Sequence, residues 1–219
     1  HSVDMDPLLE LARKYGLIVI EDATESLGAR YKGKPVGSLG DMACFSFNAN
    51  KIITTGGGGM LVTHREDWAR RARYLTTQAK DDPVEYVHNE VGYNYRLTNL
   101  LAAMGCAQLE QLDDYVAAKR RMAEGYRKGL SGLPGLSFPQ EASWAYSTYW
   151  LFTLRINAAA FGADWRMALR FLEQRKIQTR PLWQPLYRNK PYLTESVDSF
   201  PVSEILYKEC LSLPCSVGL

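Results

Sequence analysis

A chain of 219 residues has room for one large domain with a smaller appendage, and 46% apolar against 23% charged residues is the composition of a folded, water-facing protein. A net charge of +2 supplies no basic field for nucleic acid, so the expected partner is a small molecule. Cys44, Cys106, Cys210 and Cys215 form no C-x-x-C pair or Cys/His zinc spacing, no apolar run approaches the ~20 residues that span a bilayer, and no signal pattern opens the chain; metal, disulfide framework and membrane are set aside and a cytoplasmic location is expected.

The first predicted helix starts with Asp6 at the N-cap and Pro7 at the first helical position, and stops at Gly16. Leu8, Leu11, Ala12 and Tyr15 share one of its faces. The uniformly apolar run Leu17-Ile18-Val19-Ile20 predicts a strand buried on both faces of a parallel sheet. It ends in Glu21-Asp22, at the carboxyl edge where open α/β sheets place their chemistry. A second strand is predicted from Met42 to Phe47, with Cys44 and Ser46 on one face and Phe45 and Phe47 on the other. Lys51 and the run Gly56-Gly57-Gly58-Gly59 follow, then a strand from Met60 to Val62. The glycines lack P-loop spacing, because the lysine precedes them, and are read as a tight bend feeding that strand.

Next come a helix near Glu66 to Thr77, a loop through Asp81-Asp82-Pro83, and one long helix from about Thr98 to Arg127. Gly, Pro and Ser between Leu130 and Ser147 predict a hinge, which gives a large domain over 1–130 and a small one over 131–219. The small domain is expected to be α+β: a strand from Tyr149 to Ile156, a helix from Asp164 to Arg175, a strand from Ile177 to Arg180 and a helix from Val202 to Cys210.

Asp22, Ser46 and Lys51 each stand at or just past a strand end. They are the types that pyridoxal 5'-phosphate (PLP) requires: an amine for a Schiff base, an acid for the pyridine nitrogen and a donor for the phosphate. Taken singly each has a plainer reading. Lys51 is a loop lysine, Asp22 a turn residue, Ser46 a strand residue, Asn94 turn chemistry and His88 a surface histidine.

The joint pattern is more specific. Val19-Ile20-Glu21-Asp22-Ala23-Thr24-Glu25-Ser26-Leu27-Gly28, Gly40-Asp41-Met42-Ala43-Cys44-Phe45-Ser46-Phe47 and Asn50-Lys51-Ile52-Ile53-Thr54-Thr55-Gly56-Gly57-Gly58-Gly59 resemble the DegT/DnrJ/EryC/StrS sugar-nucleotide aminotransferases. The resemblance continues through Gly92-Tyr93-Asn94-Tyr95-Arg96-Leu97-Thr98-Asn99 and Ala107-Gln108-Leu109 and covers the chain in order. It implies the α/β fold of fold-type-I PLP-dependent transferases, with a mainly parallel sheet in the large domain. It implies that Lys51 carries PLP, Asp22 pairs with the pyridine nitrogen and Ser46 donates to the phosphate, with Glu25 where the family often has Gln or His against the ring. It also implies a homodimer with shared active sites, in which the loop from His88 to Arg96 reaches the partner and Asn94 helps hold the partner's phosphate.

Three stretches, Thr76–Pro83, Ile177–Trp183 and Leu211–Leu219, resemble the legionaminic acid and bacillosamine (LegC/PglE-like) subgroup, which implies a nucleotide-linked 4-keto-6-deoxy-N-acetylhexosamine substrate and an amino-acid donor, glutamate. His88, Arg96, Arg180 and Trp183 are then candidates to face that substrate. Family members have further strands before the position of His1 and continue past Leu219, so the chain is expected to be part of a longer one. Two rivals stay open, a same-fold sugar dehydratase, against which the retained Lys51 counts, and a PLP-binding regulator without turnover.

Overall fold

The computed structural model describes residues 1–193 and 200–219. Two compact units emerge, His1–Ala117 with Glu141–Thr148, and Ala118–Gln140 with Tyr149–Leu219. The change of unit at Ala117-Ala118 falls within the helix Leu112–Leu130.

The first unit begins with α1 (Met5–Tyr15), which stops at Gly16 in the left-handed conformation, φ +61°. Its N-cap is Asp4 and not the expected Asp6, and neither carboxylate caps. The Asp6 side chain pairs instead with Lys32 at 2.6 Å, while the Asp6 backbone N–H donates to the Tyr31 hydroxyl at 3.1 Å. That hydroxyl donates to Asp4 at 2.6 Å, so a tyrosine does the work of a cap.

The strand β1 (Ile20–Asp22) is shorter than expected and is not buried on both faces: Leu17, Ile18 and Ile20 are 61%, 62% and 62% exposed. Among the described residues it is an edge strand. After β2 (Arg30–Tyr31) and β3 (Lys34–Pro35), β4 (Met42–Ser46) pairs parallel with β1, and β5 (Gly59–Thr63) pairs antiparallel with β4, giving the order β1-β4-β5. Among the described residues β1 has a neighbour on one side only, and the apolar face of α1 at Leu8, Leu11 and Tyr15 is exposed as well.

The unit continues through α2 (Glu66–Thr76) and α3 (Asn99–Leu109) into α4 (Leu112–Leu130). The single long helix expected here is two, parted at Glu110-Gln111, where the Gln111 N–H bonds three residues back to Gln108 and not four. Nothing in the sequence marks that tightening, since neither residue is a breaker.

β7 (Ala145–Tyr146) belongs to the first unit and pairs antiparallel with β2, while the second unit opens its sheet with β6 (Leu136–Ser137). Then come β8 (Phe152–Ile156), α5 (Ala158–Phe161), α6 (Trp165–Glu173), β9 (Arg180–Pro181), two 3₁₀ turns at Leu186–Arg188 and Lys190–Tyr192, α7 (Pro201–Glu209) and β10 (Cys210–Leu213). The sheet order is β6-β8-β10-β9. Asp164 caps α6 by accepting from the Met167 N–H at 2.8 Å. Leu154, Ile156, Trp165 and Leu211 form the core between α6 and the sheet, with Phe152 buried beside Ala123 and Tyr149. β10 was not expected, because Leu211-Ser212-Leu213-Pro214 is too short a run to read as a strand without its partner β8.

α7 is tied back by Glu204, whose carboxylate is held down to about 2 from the usual 4.5 by Arg188 first and then by the Tyr187 hydroxyl. A depressed carboxylate stabilises the fold fully above its unfolded value and loses that contribution as the pH falls. The second unit is therefore expected to loosen between pH 4.5 and about 2, and Glu204→Gln to remove that component from an acid titration followed by circular dichroism.

Candidate functional site

The loops beyond the carboxyl ends of β1 and β4 gather three of the expected residues. Parallel pairing sets Asp22 opposite Cys44, so the chain leaving each strand emerges on the same edge of the sheet. From β1 it passes through Asp22 to Glu25; from β4 it passes through Ser46 to Lys51. The Lys51 amine lies 3.1 Å from a Glu25 carboxylate oxygen. The lysine side chain is only 11% exposed against 50% for the glutamate, which makes this an inward-facing amine and not a solvated loop lysine.

Asp22 belongs to the same group of charges. Its Oδ1 accepts from the Thr24 hydroxyl at 2.7 Å and from the Thr24 N–H at 3.2 Å. Those two bonds, with the positive charge of Lys51 adding to them, hold the Asp22 carboxyl below the usual carboxylate range. Thr24 was not singled out from the sequence, although Asp-x-Thr after a strand is a recognisable side-chain turn.

Ser46 ends β4 and is half-buried, its Oγ accepting from the Asn48 N–H at 3.3 Å, which leaves the hydroxyl able to donate. A turn from Asn48 to Lys51, closed by the Lys51 N–H on the Asn48 carbonyl at 3.0 Å, then sets the lysine.

The glycine run has two mechanical reasons. Gly58 adopts φ +88°, and a Cβ on Gly59 would stand 2.4 Å from the Phe45 carbonyl oxygen, inside the β4–β5 pairing. Gln108 on α3 ties the preceding loop by accepting from the Thr54 N–H at 3.3 Å. It lies in the Ala107-Gln108-Leu109 segment, with no sequence signal for its role.

Glu21 was also overlooked. It is 8% exposed, and its carboxylate accepts from the backbone N–H groups of Gly37, Leu39 and Gly40 at 2.8, 2.7 and 2.7 Å. It fixes the loop that feeds β4, one residue away from Asp22.

The remaining candidates lie elsewhere. Asn94 bridges to Thr77 across a short antiparallel contact at the end of α2, and the His88 ring bonds the Gln78 carbonyl at 2.7 Å. Arg96 is exposed on the same segment. The Asn94 and His88 contacts tie the segment to Thr77 and Gln78, just past the end of α2. Arg180 and Trp183 belong to the second unit; Arg180 opens β9, and the Trp183 ring lies nearly parallel to Trp150, centroids 6.3 Å apart at 13°.

The profile of the DegT/DnrJ/EryC1/StrS aminotransferase family matches residues 1–219. The chain belongs to this family. The DegT/DnrJ/EryC1/StrS aminotransferases are PLP-dependent, and the fold found here is the α/β fold type I of its structural neighbours. The GDP-perosamine synthase of Caulobacter vibrioides is 40% identical over 99% of this chain and 58% of its own length. DesV of S. venezuelae superposes with a TM-score of 0.87 at 34% identity, over 100% of this chain and 58% of that one. PseC of Helicobacter pylori, an aminotransferase involved in the biosynthesis of pseudoaminic acid, gives a TM-score of 0.90 at 25% identity, over 100% and 59%. The chain thus spans a little over half the length of these DegT-family relatives.

Proposed function

We propose that this chain is the lysine-bearing part of a PLP-dependent aminotransferase. In this reading it moves an amino group from an amino acid, glutamate first among them, to a nucleotide-linked 4-keto-6-deoxy-N-acetylhexosamine, the chemistry of legionaminic acid and bacillosamine assembly. The observation that carries the proposal is the sequestered Lys51 amine, 3.1 Å from Glu25 and close enough to Asp22 to favour its ionised form.

The residues present fit the cofactor. Lys51 offers an amine withdrawn from water, Asp22 a carboxylate kept ionised by Thr24, and Ser46 a hydroxyl with a proton to give to a phosphate oxygen. When bound, PLP supplies an electron-withdrawing ring that makes the α-proton of an amino acid removable. Asp22 would keep the pyridine nitrogen protonated. Lys51 would hold the cofactor at its aldehyde carbon and, once released, carry the proton as general base and acid. Glu25 sits where it can exchange a proton with the Lys51 Nζ.

The second phosphate contact is assigned to Asn94 from a partner subunit, within a homodimer whose active sites share the loop from His88 to Arg96. His88, Arg96 and Trp183 are proposed to face the nucleotide sugar. The relation to PseC supports a nonulosonic acid setting, while the Caulobacter relative makes GDP as well as UDP a carrier to test.

The test is transfer of isotope. The full-length protein is incubated with ¹⁵N-glutamate and UDP-linked or GDP-linked 4-keto-6-deoxy-N-acetylhexosamines and 4-keto-6-deoxyhexoses, and the sugar product is examined for ¹⁵N at C4. Label in the sugar is expected, and loss of label with Lys51→Ala. Cofactor binding without transfer to any keto sugar would sink the enzyme reading in favour of a regulator.

A further inference from the structure

A second lysine is withdrawn from water, far along the chain from Lys51. Lys119, on α4, is 6% exposed. A buried ammonium needs partners, and this one donates to two main-chain carbonyls, that of Trp150 at 3.1 Å and that of Cys215. The Cys215 thiol donates to the same Trp150 carbonyl at 3.0 Å. Amine and thiol share one acceptor and stand side by side, the thiol within hydrogen-bonding reach of the amine. Helix α4 grips this segment a second time, where the Tyr126 hydroxyl donates to the Pro214 carbonyl at 2.7 Å. All of these residues belong to the second unit.

The surroundings suit the pair to chemistry with each other. Burial pushes the Lys119 ammonium below the usual lysine range, against the opposing pull of the Cys215 sulfur, and this raises the share of neutral amine, the nucleophilic form. Cys215 is only half-buried, so a small oxidant can reach its sulfur. Cys210, in β10, is the contrast: it is buried, and burial pushes its thiol up.

We infer that Lys119 and Cys215 are a peroxide-responsive pair that closes as a sulfenamide cross-link between Nζ and Sγ. In the first step the Cys215 sulfur attacks one oxygen of hydrogen peroxide. An S–O bond forms, the O–O bond breaks, and peroxide is reduced to water as the thiol is oxidised to a sulfenic acid. In the second step the neutral Lys119 amine attacks that sulfur. An N–S bond forms, the S–O bond breaks, and the hydroxyl leaves with an amine proton as a second water. The protein loses two hydrogens in all, and a thiol reductant restores both side chains. The link ties α4 to a residue 96 positions later and involves no group of the Lys51 site.

Peptide mapping tests it. The full-length protein is treated with hydrogen peroxide, alkylated and digested, and the peptides are weighed. The expected product is the Lys119 peptide joined to the Cys215 peptide, two hydrogens lighter than their sum and released by dithiothreitol, with Cys210 still a free thiol. Lys119→Arg keeps a cation that does not lose its proton, so it is expected to lose the cross-link and to leave a Cys215 sulfenic acid that dimedone traps. In the parent, Cys215 left unoxidised, or oxidised to sulfinic acid with Lys119 free, would overturn the inference. So would a Cys215 cross-link that persists in Lys119→Arg. The first two results are read on the parent protein, so a variant that fails to fold does not rescue the idea.

Discussion

Replacing Asp22 with asparagine is expected to lower the rate of amino transfer by roughly 10²–10³-fold, the scale set by removing one preorganised electrostatic partner from a reacting centre. The side chain keeps its shape and its bonds from Thr24, so the thermal midpoint should stay near that of the parent. What is lost is the negative charge that would hold a pyridine nitrogen protonated. In the present structure that charge is secured by the Thr24 hydroxyl at 2.7 Å and by the field of Lys51. Single-turnover kinetics with glutamate would show the defect in the first half of the reaction, before any sugar is added. A parent-like rate would mean that Asp22 only closes its turn.

Glu21→Ala is expected to have the largest effect on stability, a loss of about 3 kcal/mol or more in urea unfolding, because a buried carboxylate that accepts three charge-assisted bonds is removed and three backbone donors are left unpaired. Glu21→Gln should lose less, since one amide oxygen still accepts while the new NH₂ faces backbone N–H groups. The slope of the unfolding transition should hold while its midpoint falls. If the alanine variant unfolds with the parent, the loop from Gly37 to Gly40 is held by something other than Glu21.

How far these features were legible in the sequence depends on where their cause lies. Gly16 stops α1 through its own backbone freedom, and the α/β pattern follows from runs of apolar residues, so both could be read directly. The order Asp22, Ser46, Lys51 was readable as a set of PLP-compatible types because each follows a strand end. The Lys51–Glu25 pair was only half legible. The resemblance placed both residues near a cofactor, but the 3.1 Å contact is a product of β1 and β4 lying side by side.

Glu21 illustrates what could not be read. An acid at the end of an apolar strand looks like a surface residue, and its three partners come from a loop sixteen to nineteen positions later. The tyrosine that replaces a cap on α1 is likewise 25 residues from the N–H it satisfies. The exposure of Leu17, Ile18 and Ile20 failed for the opposite reason: their composition describes a strand with neighbours on both sides, and among the described residues β1 has one. Local chemistry was visible; long-range partners were not.

The most direct test of the central claim is to ask which lysine carries the cofactor. The full-length protein, incubated with PLP and reduced with borohydride, would be digested and its peptides mapped by mass. The expected result is a phosphopyridoxyl group on Lys51, absent from Lys51→Ala and diminished in Asp22→Asn. A modification on another lysine, or none at all with PLP in excess, would contradict it.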